Sequence, residues 1–246
     1  MVDETRQGLI GKRAAVLDRG YVELQDAMPH PESGISADNV AVASARVSFL
    51  GASKGAEADR RLIHYLMKHR HTTPFEHIVM TFRVHAPVVV WWQWTRHRTA
   101  SYNLMSGRYV ELPEDEYYEP TVWRRQAAQN KQGSEGALDE ADARQLSQLL
   151  SEHIARGHAL YKQALALGVA REQARLFLSG FAVYYTGYVT QNLHNLLHFL
   201  RLRLADDAQY EIRQYAQAVY YEFVKPFAPI ICEAWEATFG APSGAT

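Results

Sequence analysis

The stretch IVMTFRVHAPVVVWWQWTRHR, residues 78–98, joins two different sequence patterns. From Ile78 to His85 every second residue is apolar, and a period of two is typical of a strand with one buried face. Pro87 either ends this strand or opens a helix at its first turn, and residues Val88 to Trp94 fit a helix or a strand. The stretch therefore predicts one well-packed strand, followed by a segment that ends in arginines.

Helical patterns dominate on both sides of this strand. Apolar residues at helical spacing predict helices over residues 37–49, 58–70, 146–165, 192–203 and 212–223, and another beginning near Val169. Pro226 and Pro229 are expected to kink or interrupt the last of these. Residues 20–24 predict a short strand, residues 177–190 a strand or a buried loop, and residues 114–134 a loop-rich region. Because no βαβ unit repeats, the pattern favours an α+β fold.

Length and composition narrow the classes of function. The 246 residues suit one large domain or two small ones, and a net charge of -1 argues against binding to a nucleic acid polymer. The single cysteine, Cys232, excludes an intrachain disulfide and favours a reducing, cytoplasmic compartment. Residues 1–13, MVDETRQGLIGKR, have no signal-peptide pattern, and no apolar run approaches the ~20 residues that span a membrane.

The polar residues between Gln93 and Arg108 form the first candidate site. Guanidinium groups match phosphate oxygens as forked donors, the Ser106 hydroxyl can donate to a phosphate, and Gly107 lets the backbone approach a ligand closely. An exposed basic stretch is also a common solvated surface. Aromatic residues flank this one and argue against plain exposure: Trp91, Trp92, Trp94, Tyr102 and Tyr109. On composition alone, a site for an anionic, phosphorylated small molecule and a solvated basic surface both remain open.

The spacing within this segment carries more information than its composition. Arg96-His97-Arg98, seven further residues and Ser106 resemble the Arg-His-Arg-x7-Ser signature of the flavin-dependent thymidylate synthases. Three other segments resemble elements of that family in the same order: ASARVSF at 43–49, HTTPFEH at 71–77, and the helix at 192–203. The similarity spans roughly residues 18–225.

The resemblance implies an FAD enzyme that makes dTMP from dUMP. Methylenetetrahydrofolate would give the carbon, NADPH would reduce the flavin, and tetrahydrofolate would leave. The implied fold has a central, mainly antiparallel sheet flanked by helices, in a single domain over residues 1–246. Because no Gly-x-Gly-x-x-Gly is present, FAD would not bind through a Rossmann fingerprint. The implied assembly is a homotetramer whose active sites combine residues of several subunits.

The same resemblance implies roles for individual residues. Arg203 would be catalytic, because it matches the arginine that favours ionisation of the uracil at N3 and so makes C5 nucleophilic. The residues expected at FAD are His71, Thr73, Glu76, Arg96, His97, Arg98, Leu104, Asn192, His194 and His198. The residues expected at dUMP are Gln93, Arg96, Ser106, Gly107, Arg108, Arg175 and Arg203.

Two positions depart from the family pattern. Many relatives carry Arg where this chain has His194 and Glu where it has Leu104. These departures would suit a rival hypothesis, a flavin- or nucleotide-binding protein without turnover. A second rival is a metal-dependent nucleotide hydrolase, but the spacing of His69, His71 and His77 fits neither a His-Glu-x-x-His helix nor a zinc finger, so no metal is expected.

Other reactive residue types have plainer interpretations. Ser106 lacks the Gly-x-Ser-x-Gly surroundings of a nucleophile, which favours phosphate binding. Cys232 lies among apolar residues and is expected to be a buried structural thiol. His194 and His198 are four residues apart and are expected to share one helix face.

Overall fold

Five strands form one antiparallel sheet in the computed structural model, which describes residues 8–49, 51–130 and 133–242. Its strands are β1 (Arg13–Val16), β2 (Gly20–Met28), β3 (Val79–Pro87), β4 (Ser101–Leu104) and β7 (Tyr184–Asn192). They are ordered β1-β2-β3-β7-β4, and every neighbouring pair is antiparallel. The short strands β5 (Arg124–Gln126) and β6 (Ser134–Ala137) pair separately. The mixed fold with an antiparallel central sheet is confirmed.

Ten helical segments pack around the sheet within the described ranges. They are α1 (Ala37–Arg46), α2 (Ala56–Lys68), α3 (Thr73–Glu76), α4 (Val88–Trp94), α5 (Glu140–Ala166), α6 (Arg171–Ala174), α7 (Leu193–Arg203), α8 (Tyr210–Val219), α9 (Lys225–Phe227) and α10 (Pro229–Phe239). Single 3-10 turns occupy Pro31–Ser33, Val47–Phe49 and Arg175–Phe177. None of the helices in the described part of the chain has the length and hydropathy of a membrane span.

Strand β3 is the central strand of the sheet, and its alternating pattern corresponds to one buried face. Met80, Phe82 and Val84 are fully buried on the helical face, where Phe82 meets Phe223 with ring centroids 5.7 Å apart. Pro87 ends the strand, as one of its two expected roles, and it is also the N-cap residue that precedes α4. The ambiguous segment after it is the helix α4, which carries the chain from the sheet to the arginine-rich turn.

The C-terminal helices follow the prolines. Pro226 has no N–H to continue the helical ladder, and the turn before it, Tyr220–Val224, widens to π geometry. Pro229 then opens α10 at its first position. Cys232 lies fully buried in α10, and this burial raises the pKa of its thiol, so the expected structural role is confirmed.

Several boundaries differ from the expectation. Strands β1 and β4 have only four residues each, too few for a periodic pattern to show. The helix expected near Val169 is the single turn α6, which buries only Ala174 and therefore has no apolar face to extend it. Of the 177–190 region, residues 184–190 belong to β7, and the residues before them form turns and loop. Residues 1–7 of the N-terminal segment and 131–132 of the loop-rich region lie outside the described ranges.

Candidate active site

A groove of about 330 Å³ lies between the end of β7, one face of α7 and the turn that joins α4 to β4. We call it the Arg203 groove. Its lining residues are Arg96, His97, Arg98, Thr99, Gln191, Asn195, His198, Leu202 and Arg203. A wider recess of about 680 Å³ adjoins it, sharing Arg96 and Arg203 and adding Trp92, Gln93 and Thr95. The structure thus brings together the Arg-His-Arg triplet, Gln93, His198 and Arg203, as the sequence predicted.

The Arg-His-Arg triplet is held as a tight turn. The backbone N–H of His97 donates to the carbonyl of Trp94 at 3.0 Å. The Tyr102 hydroxyl donates to the carbonyls of His97, at 2.7 Å, and Trp94, at 3.1 Å. These bonds turn the His97 ring inwards, whereas Arg96 and Arg98 remain exposed.

His97 and Arg203 form the polar centre of the groove. The Arg203 Nε donates to His97 Nε2 at 3.1 Å, and its Nη2 donates to the carbonyl of Gln93 at 3.3 Å. Burial, followed by the charge of Arg203 and the neighbouring His198, lowers the pKa of His97 to about 4. The imidazole is therefore neutral at physiological pH and accepts the hydrogen bond that orients the guanidinium. Phe199 meets the His97 ring edge-on, with centroids 5.0 Å apart.

Helix α7 begins with a capping interaction that uses a predicted flavin ligand. The Asn192 Oδ1 accepts from the Asn195 backbone N–H at 3.0 Å and from the Asn195 Nδ2 at 2.8 Å. This is a standard N-cap, and it leaves the Asn192 amide N–H groups as the donors for a ligand. Asn192 thus fixes the start of α7, between the groove-lining residues Gln191 and Asn195 in the chain.

The other face of α7 borders a second cavity, of about 190 Å³, between α2, α3 and α10. His194 and His198 both line it, which confirms that they share a helix face. Its remaining polar lining comes from Arg70, Thr72 and Arg201. Burial, then Arg201 and His194, lowers the pKa of His198.

The predicted element at residues 71–77 lies beside this cavity. Helix α3 packs against α7, and His71, Thr73 and Glu76 are exposed next to the lining residue Thr72. His69 and His71 contact the ring of Tyr65. Within the described ranges no three His, Cys, Asp or Glu side chains form a group that could hold a metal ion.

The predicted phosphate-binding residues form a separate cluster. The Ser106 Oγ accepts from the Arg108 N–H at 3.3 Å, and the Arg108 Nε lies 3.2 Å from the Glu172 carboxylate. The Arg175 Nε donates to the Glu172 carbonyl at 3.3 Å. Gly107 is packed so closely that an added Cβ would lie 3.1 Å from the Tyr185 hydroxyl. Arg108 and Arg175 therefore both contact Glu172, Arg108 at its carboxylate and Arg175 at its backbone carbonyl, and neither lines the Arg203 groove.

Strand β4 separates the two clusters. Ser101 pairs with Thr190 near the groove, and Leu104 pairs with Gly187 at the other end. A four-residue antiparallel strand rises about 10 Å. The Arg203 groove and the Ser106–Arg108 cluster therefore lie towards opposite ends of β4. The Leu104 side chain packs against the hydrophobic core.

Some lining residues were not predicted, namely Thr95, Thr99, Gln191, Asn195 and Leu202. Gln191 had a detectable signal, because it shares the buried alternation of β7 with Val189. Arg96 and Arg98 form no ion pair with any residue of the described ranges, and the buried Gln191 amide has no hydrogen-bond partner there. Unpaired cations and an unsatisfied buried amide indicate a groove built to receive a polar, anionic ligand.

The comparisons with known proteins agree with one another. The family model described as "thymidylate synthase complementing protein" matches residues 32–230. A flavin-dependent thymidylate synthase of Thermus thermophilus is 48% identical over 221 residues, which cover 90% of this chain and 77% of the relative. A protein of the same name from Dictyostelium discoideum is 39% identical over 89% of this chain and 72% of its own length.

A solved structure with a similar fold is that of a UMP/dUMP methylase from Streptomyces cacaoi bound with 5-Br dUMP. Its TM-score is 0.80 at 30% identity, and the match covers 93% of this chain and 100% of that one.

Proposed function

The chain belongs to the family of flavin-dependent thymidylate synthases, and we propose that its Arg203 groove is where the uracil ring of dUMP meets the flavin. The reaction of the family is the methylation of dUMP to dTMP, with FAD as cofactor. The observation that carries the proposal is the bond from Arg203 Nε to the buried His97 Nε2. It holds one catalytic guanidinium in a fixed orientation inside a groove lined by further cations.

FAD fits the residues around this groove. Arg96 and Arg98 offer guanidinium groups without ion pairs in the described ranges, which suit a pyrophosphate. Asn192 at the N-cap of α7 and His194 and His198 on α7 offer donors towards a flavin ring, and His71, Thr73 and Glu76 lie beside the second cavity. When bound, FAD supplies the reducing equivalents for the methyl group, and the protein supplies orientation and electrostatics.

Arg203 activates the uracil in this proposal. Burial and the nearby Arg96 lower its pKa, yet a guanidinium stays protonated at physiological pH. Two of its five N–H donors are used by His97 and Gln93, so the remaining donors can bind the uracil edge. A fixed positive charge there stabilises the anion left by ionisation at N3, and that anion makes C5 nucleophilic.

The dUMP phosphate belongs to the other cluster in this proposal. Ser106, Gly107, Arg108 and Arg175 would bind it, and the phosphate would replace Glu172 as the partner of Arg108. Because β4 lies between this cluster and Arg203 of the same chain, the proposal places the two parts of one site on different subunits. This supports the homotetramer with shared sites.

The remaining parts of the reaction follow from the family. Methylenetetrahydrofolate would give the carbon and NADPH would reduce the flavin. We also propose a single domain over residues 1–246 and a cytoplasmic location. The main core cluster, which joins β1 to β3 with α1, α7, α8 and α10, supports the single domain.

Purified protein tests the proposal together with one variant. The wild type should bind FAD, oxidise NADPH faster when dUMP is present, and form dTMP once the folate is added. Arg203→Ala should lower dTMP formation by at least about a hundredfold while FAD stays bound, because the guanidinium acts on the uracil. The exposed Arg144→Ala on α5 is the matched control and should behave as wild type. The assignment would be contradicted if Arg203→Ala lost its flavin but formed dTMP at the wild-type rate once FAD was restored.

A further inference from the structure

Gln191 is a buried side chain with unused hydrogen-bonding capacity at the Arg203 groove. It precedes Asn192 at the end of β7, is 3% exposed, and lines the groove. Neither its Nε2 nor its Oε1 has a hydrogen-bond partner among the described residues. Burying an amide without partners is unfavourable, so such a residue calls for an explanation.

In the described part of the chain, the other buried side-chain polar atoms without partners lie away from this groove. They belong to Arg46, Trp94, Tyr117 and His158, and none of these residues lines the Arg203 groove. Gln191 therefore differs from them in facing a space that a ligand can enter.

Its polar neighbours do not satisfy it either. The amide of Asn195 donates to Asn192, and the Nε of Arg203 donates to His97. Neither of these two bonds involves Gln191, so its amide is left for a group that enters the groove.

We infer that Gln191 binds the imide edge of a pyrimidine-type ring in the Arg203 groove. A carboxamide presents a donor and an acceptor side by side, and an imide presents the complementary C=O and N–H. A phosphate could use only the donor and would leave the Gln191 carbonyl unsatisfied.

The uracil of dUMP and the isoalloxazine of FAD both carry an imide edge. The inference therefore rests on the proposed placement of both molecules in this groove, and it adds a positioning residue that the motifs of the family did not indicate. Which of the two rings Gln191 binds is decided by measuring the two affinities separately.

The variant Gln191→Met separates binding from folding. Methionine keeps an unbranched side chain of similar length and removes both amide atoms. Because the amide has no partner among the described residues, the apo-protein Tm should stay the same or rise. Affinity for the bound ring should fall by about tenfold or more, because one of its hydrogen-bonding edges loses its partner.

A matched control is Gln25→Met on β2. Gln25 is satisfied on both sides, since its Nε2 donates to Glu23 at 2.6 Å and its Oε1 accepts from Tyr188 at 2.9 Å. That variant should lower the apo-protein Tm and leave ligand affinity unchanged, the opposite of Gln191→Met.

The experiment titrates FAD into apo-protein and dUMP into FAD-loaded protein. Weaker FAD binding with a shifted visible flavin absorption band identifies the isoalloxazine, and weaker dUMP binding alone identifies the uracil. Unchanged affinity for both, or a lower apo-protein Tm without a change in affinity, overturns the inference and leaves the proposed function standing. Wild-type protein that binds neither molecule overturns both.

Discussion

The His97–Arg203 pair shows how a histidine can orient an arginine without adding charge. Burial keeps the imidazole neutral, and a neutral Nε2 can accept a hydrogen bond from the guanidinium. Protonation would place two cations 3.1 Å apart. The pair therefore depends on a pH above the lowered pKa of His97, so this residue links stability to pH.

We predict that stability decreases as the pH falls below about 6.5, because the unfolded chain then binds a proton at His97 that the folded chain, with a His97 pKa of about 4, does not. By pH 5 this group alone should cost about 2 kcal/mol of unfolding free energy. Urea denaturation at pH 7.5 and pH 5 measures the change. His97→Gln keeps an acceptor that does not titrate in this range and should lose about 2 kcal/mol less. Identical pH dependence in both proteins would show that His97 is not held neutral.

Residue-level chemistry was only partly predictable from the sequence. The motif spacing singled out Arg203 and the Arg-His-Arg triplet, and the structure places them together. The sequence did not reveal the hydrogen bond between Arg203 and His97. These residues are 106 positions apart, and the packing of α7 against the turn after α4 brings them together. The capping role of Asn192 was hidden for a similar reason, since capping depends on where α7 begins.

Among the elements, the end of α2 has an unusual backbone. Arg70 adopts φ 57, the left-handed conformation that normally favours glycine after a helix. The bonds from Arg70 N–H to Met67 and from His71 N–H to Leu66 form a Schellman motif around it. The arginine at this position lines the second cavity beside α7. The backbone thus tolerates strain at a position whose side chain borders a proposed ligand site.

Arg70→Gly should stabilise the protein by about 1 kcal/mol, because glycine adopts the left-handed conformation without a Cβ penalty. Arg70→Ala is the matched control, since it removes the same guanidinium and retains the Cβ. Chemical denaturation of both variants measures the difference. An alanine variant as stable as the glycine variant would show that the backbone of Arg70 carries no strain.

Long, strongly patterned elements were predicted well and short ones were not. The alternation of β3 and the helical spacing of α2, α5 and α7 each identified an element, because each buries a continuous face. Edge strand β4 escaped prediction because four residues beside β7 are stabilised by pairing that the sequence does not display. This matters for function, because β4 is the element that separates the two ligand clusters.

On the scale of the whole molecule, a single chain exposes large apolar side chains beside both ligand clusters. Trp92 is 60% exposed and packs against Phe181, which is 59% exposed, with ring centroids 4.9 Å apart. Leu176 is 81% exposed in the turn that follows α6. Trp92 lines the wide recess beside Arg203, and Leu176 adjoins Arg175. Exposed apolar side chains of this kind are typical of protein–protein contact sites. Their position beside both ligand clusters supports an interface between subunits that brings the two clusters together.

The most direct test of a shared active site is complementation between two inactive variants. Arg203→Ala removes the uracil-binding arginine, and Arg108→Ala removes an arginine of the phosphate cluster, so each alone should form little dTMP. If the two residues of one site come from different subunits, oligomers reassembled from an equal mixture contain intact sites, and dTMP formation should recover to about a quarter of the wild-type rate. A mixture no more active than the separate variants, despite confirmed subunit exchange, would contradict the account and place both arginines in a site within one chain.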